Sequence, residues 1–274
     1  MKKSDFSIEN YDKILDHLGN KPMHGFLPRI TNRNDTKKFN PIVDISDEAK
    51  SFMIDSISIG NPLIFVPNHI HIDDHHIVNA SLSKLETVHG IKDVRKHVVG
   101  NTVIWSKPGH FEENWRDMML LAYSNVFPAW READLDKNNG KNNAFLLGRA
   151  GLKLINLSLD HMKNGNNVLF FPEGTRNTGD PKKIQEIKNG VGELAVRAWK
   201  FNPDIAIMPI GIALNKPDGI PTKDVGEDVV KHAAVYFGDP ITYRKDKSEI
   251  VTGTVKASLQ YWADNANQTF KLAS

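Results

Sequence analysis

Two apolar runs, LIFVP at 63–67 and VLFFP at 168–172, each stop on a proline and pass at once into dense polar sequence. Apolar residues in unbroken succession fit a strand covered on both faces, and such a strand needs helices above and below it. Further strands are predicted at 98–105 (VVGNTVIW), 205–214 (IAIMPIGIAL) and 233–238 (AAVYFG). Another is predicted at 125–130 (NVFPAW), where Pro128 points to a sheet edge. Helical spacing predicts helices over 7–18, from Ser46 (as cap) to Ile57, from Asp74 to about Leu85, and over 111–124. Three more are predicted from Phe145 to Lys163, from Val191 to Trp199 and from Ser248 to about Lys271. Residues 20–45, rich in Pro, Asn, Asp and Lys, read as loop. Strands alternating with helices specify an α/β fold, with a mixed, largely parallel sheet flanked by helices. Residues 1–59 read as an N-terminal helical and loop extension packed on a core domain spanning 60–274.

Composition narrows the chemistry. The chain of 274 residues has no cysteine, which excludes a disulfide framework, a thiolate metal site and a cysteine nucleophile. A net charge of +2 gives no case for nucleic acid, yet suits an anionic surface or a phosphorylated substrate. The start, MKKSDFSIEN, has lysines followed by polar residues and does not read as a signal peptide. The longest apolar runs, 62–67 and 205–214, fall far short of the roughly 20 residues that span a bilayer. A lipid substrate would therefore be met from the surface of the membrane.

In parallel sheets, ligands bind at the carboxyl ends of strands. The first polar cluster at such an end is Asn68, His69, His71, Asp73, Asp74, His75 and His76. A solvated helix start capped by an aspartate is the ordinary explanation of a lone His–Asp pair. Here six titratable groups fall within eight positions, which that explanation does not cover. One sharper reading is a zinc hydrolase, since His69-Ile70-His71-Ile72-Asp73 approaches a metal-binding pattern. Asp74 then falls where that pattern has its next histidine, and a slip of one residue turns a ligand away from the metal. The other reading is His-x4-Asp. Asp74, folded back at the helix start, accepts a hydrogen bond from one ring nitrogen of His69 and leaves the other as a base.

The second cluster is Phe171-Pro172-Glu173-Gly174-Thr175-Arg176. A surface turn with a Glu–Arg pair is common. Against that, Gly174 lets the backbone approach a ligand closely, and the Arg176 guanidinium suits a two-point grip on phosphate. Lys188, just ahead of Gly190 and the next helix, adds a second cation.

Asn68-His69-x4-Asp74 followed by FPEGTR resembles the glycerolipid acyltransferase family, which includes the lysophosphatidic acid and glycerol-3-phosphate acyltransferases. The likeness extends to Ile187-Lys188-Asn189-Gly190, Met208-Pro209-Ile210 and Phe237-Gly238-Asp239-Pro240-Ile241, covering residues from about 60 to 245. VFPAWR supplies Arg131 where the family ends its second motif with a phosphate-binding arginine, although Trp130 and the lack of a glycine are unusual there.

The resemblance implies a glycerol-3-phosphate acyltransferase-like fold and acyl transfer in phospholipid biosynthesis. Acyl-coenzyme A or acyl carrier protein would be the donor, and a lysophospholipid, foremost 1-acylglycerol 3-phosphate, the acceptor. It implies catalysis by His69 and Asp74 without metal or other cofactor. Substrate binding would fall to Arg131, Glu173, Gly174, Thr175, Arg176 and Lys188. The expected location is cytoplasmic, peripheral on the inner face of a membrane, with no nucleic-acid partner.

Other motifs fail. No Gly-x-Ser-x-Gly elbow and no Walker loop occurs. Gly190-Val191-Gly192-Glu193-Leu194-Ala195 fits a dinucleotide fingerprint formally, but a polar loop separates it from any strand. Trp115, Met119 and Tyr123 share one helical face and read first as core.

Overall fold

A computed structural model describes residues 7–19, 26–108, 125–135, 140–177, 179–216, 222, 225–242 and 247–273. The predicted helix at 111–124, with Trp115, Met119 and Tyr123, lies outside the described residues.

Seven strands form one sheet among the described residues. They are β1 (Ile42–Ile45), β2 (Leu63–Pro67), β3 (Thr102–Ser106), β4 (Val126–Pro128), β5 (Asn167–Leu169), β6 (Ala206–Ala213) and β7 (Ala234–Phe237). Their order is β1-β7-β6-β2-β5-β3-β4. Only β6 and β7 pair antiparallel, so the sheet is mixed and mostly parallel, as the alternation of elements predicts. Pro128 lies on β4, an edge strand, where a missing N–H costs no ladder bond.

Every residue of β2 is buried. Ile64 and Val66 join one core with helix α1 (Tyr11–Gly19), α6 (Gly140–Lys163), α7 (Gly190–Phe201) and α9 (Ser248–Ala273). Leu63 and Phe65 join the opposite core with α3 (Asp47–Ile59), α4 (Asp74–Val88), the single turn α5 (Val94–His97) and the short α8 (Glu227–Lys231). Coverage on both faces is why this strand carries no polar alternation. Burying a side chain such as Phe65 or Ile64 contributes about 1.5–3 kcal/mol, so these two layers fix the sheet firmly.

α3 starts as its sequence signals, with Ser46 Oγ accepting the Ala49 N–H at 3.1 Å, and ends at Gly60 in the left-handed conformation. α9 closes the fold by lying directly on β6. A Cβ on Gly211 would sit 2.2 Å from the backbone oxygen of Trp262, so only glycine permits that approach.

The loop reading of 20–45 is corrected, because this stretch contains α2 (Phe26–Lys38) and the edge strand β1. α2 has no strong apolar stripe. Among its described side chains, polar contacts tie it to α4. Asn32 Nδ2 donates to the Asn79 carbonyl at 2.5 Å, Asn79 Nδ2 donates to Asp35 Oδ2 at 2.5 Å, and Asp35 meets His76 Nδ1 at 2.9 Å. Hydrophobic periodicity cannot report a helix anchored this way. Two strand boundaries also move. β3 begins at Thr102 because 94–97 and 99–101 form helical turns, and β5 ends at Leu169, before the FPEGTR turn.

Candidate active site

β2 and β5 are parallel neighbours, with Ile64 opposite Val168 and Phe65 opposite Leu169. Their carboxyl ends therefore discharge side by side, and the two polar clusters emerge at the same sheet edge.

Asn68 sets the point where the chain leaves the sheet. Its Nδ2 donates to the Ile212 carbonyl at 3.1 Å, and its Oδ1 accepts the Ile212 N–H at 2.6 Å. The buried amide thus continues the β2–β6 ladder in place of backbone. The next residue, His69, is released from the sheet but starts from a fixed origin.

His69 Nδ1 lies 3.0 Å from Asp74 Oδ2. The same oxygen accepts the backbone N–H groups of Ile70 at 2.6 Å and His71 at 2.8 Å. Asp74 is fully buried at the first turn of α4, where the helix dipole favours its charge. A carboxylate on Nδ1 fixes the tautomer with Nδ1 protonated, leaving Nε2 with its lone pair. The imidazole also stacks on Phe171, with ring centroids 4.3 Å apart.

The FPEGTR segment binds to this loop through its backbone. Glu173 Oε1 accepts the His69 N–H at 2.7 Å, and Glu173 Oε2 accepts the Gln185 N–H at 3.2 Å. Asn177 N–H donates to the His69 carbonyl at 2.7 Å. The His69 peptide is thus gripped on both sides. Glu173 is buried, and burial raises its carboxyl above the ordinary glutamate range, partly offset by those two backbone donors. The family resemblance implies substrate binding for Glu173; in the fold both its oxygens accept backbone N–H groups, of residues 69 and 185, and so tie the two loops together.

Gly174 turns the segment with φ +71°, its N–H donating to the Phe171 carbonyl at 3.1 Å. That N–H is therefore spent within the turn. Thr175 and Arg176 are exposed, and among the described residues their backbone N–H groups donate no hydrogen bond. Lys188 comes alongside, its N–H on the Pro172 carbonyl at 2.9 Å and its Cγ 3.8 Å from a Cβ built on Gly174. Its Nζ lies out in solvent, 3.8 Å from Glu186.

Arg131, just past β4, joins from the far side. Its NH1 donates to the Gly174 carbonyl at 3.1 Å, while Nε and NH2 fork onto Asp134 at 2.8 and 2.5 Å. The bond to Asp134 raises the guanidinium's affinity for its proton. Of the residues named from the sequence, His69, Arg131, Glu173, Gly174 and Lys188 lie on loops joined by these contacts, Asp74 reaches His69 from the first turn of α4, and Thr175 and Arg176 follow Gly174 on the exposed turn. Sequence reasoning missed Asn177 and Asp134, and gave Asn68 no role. The signal for Asn68 was an amide placed directly after a fully apolar strand.

His71 does not point to a metal. Its Nδ1 accepts the Asp73 N–H at 3.2 Å, and among the described residues no three His, Asp or Glu side chains form a group able to hold a metal ion. A part-exposed histidine backed by a buried aspartate, beside donor-rich turns, is suited to deprotonating a hydroxyl.

A sequence model of the family described as acyltransferase matches residues 50–213, more than half of the chain. The span runs from within α3 to the end of β6 and holds every residue of the site. Among curated proteins no match is found.

Proposed function

The chain belongs to the acyltransferase family, and from that premise we propose that it moves a fatty acyl group from an acyl thioester to the hydroxyl of a lysophospholipid, with 1-acylglycerol 3-phosphate as acceptor, in phospholipid biosynthesis. Acyl-coenzyme A or acyl carrier protein serves as donor, and no other cofactor takes part. The observation that carries the reading is the His69 Nδ1–Asp74 Oδ2 contact of 3.0 Å beside the FPEGTR turn.

Transfer is direct. His69 Nε2 accepts the hydroxyl proton as the acceptor oxygen attacks the thioester carbonyl. Asp74 stabilises the imidazolium so formed. The oxyanion is met by the N–H groups of Thr175 and Arg176, which donate no hydrogen bond among the described residues, in place of the spent one on Gly174. When the tetrahedral intermediate collapses, the C–S bond breaks and the thiolate leaves with the proton from His69. Arg131, Arg176 and Lys188 hold the acceptor phosphate.

The enzyme works at the cytoplasmic face of a membrane as a peripheral protein. No helix among the described residues is long and apolar enough to cross a bilayer.

A panel of acceptors (1-acylglycerol 3-phosphate, glycerol 3-phosphate and neutral lysolipids) against both donor types, read by mass spectrometry, tests the proposal. Absence of product from every glycerol-based acceptor refutes it.

A further inference from the structure

Among the described residues, Arg131 differs from the other cations of the site in being paired at two points with a carboxylate at close range. Its guanidinium lies fork to fork on Asp134, Nε to Oδ2 at 2.8 Å and NH2 to Oδ1 at 2.5 Å. Asp134 Oδ2 also accepts the Arg131 backbone N–H at 3.0 Å, so the carboxylate is anchored by the short helical turn 132–134 itself. The pair is only part exposed, 30% for the arginine side chain and 16% for the aspartate. By contrast Lys188 has only an exposed neighbour at 3.8 Å.

A guanidinium presents five N–H groups, and the Nε/NH2 edge is the one best shaped for two oxygens of a phosphate or carboxylate. Here that edge is filled by Asp134, and a third N–H is held by the Gly174 carbonyl. We infer that Asp134 is a built-in occupant of the anion site, which the acceptor's phosphate must displace from Arg131 in order to bind. The inference rests on the phosphate role given to Arg131 above.

A phosphate monoester carries close to two negative charges near neutral pH, against one on the carboxylate, so it can win the exchange. Asp134, tethered three residues away, stays close enough to repel the bound phosphate and to reclaim the guanidinium when product leaves. The site is thereby kept from binding phosphate too tightly, which favours turnover over retention. Asp134 acts through Arg131 and sets acceptor affinity without touching the reacting atoms.

The test is a titration of inorganic phosphate by calorimetry into the wild type, Asp134→Asn, Arg131→Gln and the double variant. Asparagine keeps an oxygen for Arg131 and for the turn while removing the charge. Phosphate should bind Asp134→Asn about three- to ten-fold tighter than wild type, and the gain should vanish in the Arg131→Gln background. The Michaelis constant for 1-acylglycerol 3-phosphate should fall in parallel. Equal or weaker phosphate binding by Asp134→Asn, no binding to either protein at millimolar phosphate, or a gain that persists without Arg131 overturns the inference. Should Asp134→Asn fail to fold, Asp134→Ser is read by the same outcomes. Failure of the functional reading is separate: the wild type would then transfer no acyl group to any glycerol-based acceptor, whatever the phosphate titration returns.

Discussion

The carboxylate of Glu173 accepts the backbone N–H of His69 at 2.7 Å, across 104 positions of sequence. With the Asn177 N–H on the His69 carbonyl at 2.7 Å, it makes the histidine's peptide the junction of two loops. Such a clamp holds the His69 backbone in place, and the Asp74 contact on Nδ1 then orients its imidazole.

Replacing His69 by alanine removes the base and leaves these backbone bonds in place. The turnover number should fall by about 10²–10⁴-fold, with thermal stability close to wild type. Steady-state kinetics and a melting curve on the same preparation check both halves. A near wild-type rate would remove His69 from the chemistry.

Asp74→Asn separates charge from geometry. The amide oxygen can still accept from Ile70, His71 and the imidazole, but the imidazolium loses its counter-charge. The expected outcome is a turnover number lower by about 10²–10⁴-fold with an unchanged Michaelis constant. A change confined to the Michaelis constant would contradict the orienting role.

Glu173→Gln tests the clamp through pH. The wild-type carboxyl titrates above its ordinary range because burial disfavours the charged form. A carboxyl raised in the folded state favours folding most when protonated, and that contribution is lost as pH rises through the folded value. Glutamine does not titrate. The melting-temperature advantage of the wild type over Glu173→Gln should therefore be greatest in acid and narrow as pH rises above the ordinary glutamate range. An advantage that instead widens across that window would show that the buried carboxyl is not raised.

Arg176→Ala should raise the Michaelis constant for a phosphorylated acceptor by about ten-fold and leave neutral acceptors unaffected, with an effect that shrinks in high salt. Lys188→Ala should do less, since its exposed ammonium already has Glu186 at 3.8 Å. Initial rates over a range of acceptor concentration and ionic strength decide it. An unchanged constant for Arg176→Ala would take that residue out of the phosphate site.

Gly211→Ala addresses the fold. Its Cβ would lie 2.2 Å from the Trp262 backbone oxygen, a clash that side-chain rotation cannot relieve. The cost should be about 3 kcal/mol or more, the upper end for overpacking. Chemical denaturation measures it, and near wild-type stability would mean that α9 can move off β6.

The sequence alone determined that both faces of a largely parallel sheet would be covered, since LIFVP leaves no polar residue for solvent. It also determined where the two polar clusters fall, since Asn68-His69-x4-Asp74 and FPEGTR stand directly after such strands. These features are local: strand period, proline, and a titratable group at a strand end all act within a few residues.

Only the tertiary structure decided what each site residue touches. Glu173 and Arg176 look equally suited to a substrate in the string FPEGTR, yet one is buried on the His69 backbone and the other faces water. α2 was hidden for the same reason, since its partners Asn79 and His76 lie on another helix. Hydrogen bonds between polar groups distant in sequence carry no periodic signature. They depend on where the sheet sets each loop, and that is fixed only when β2 and β5 pair.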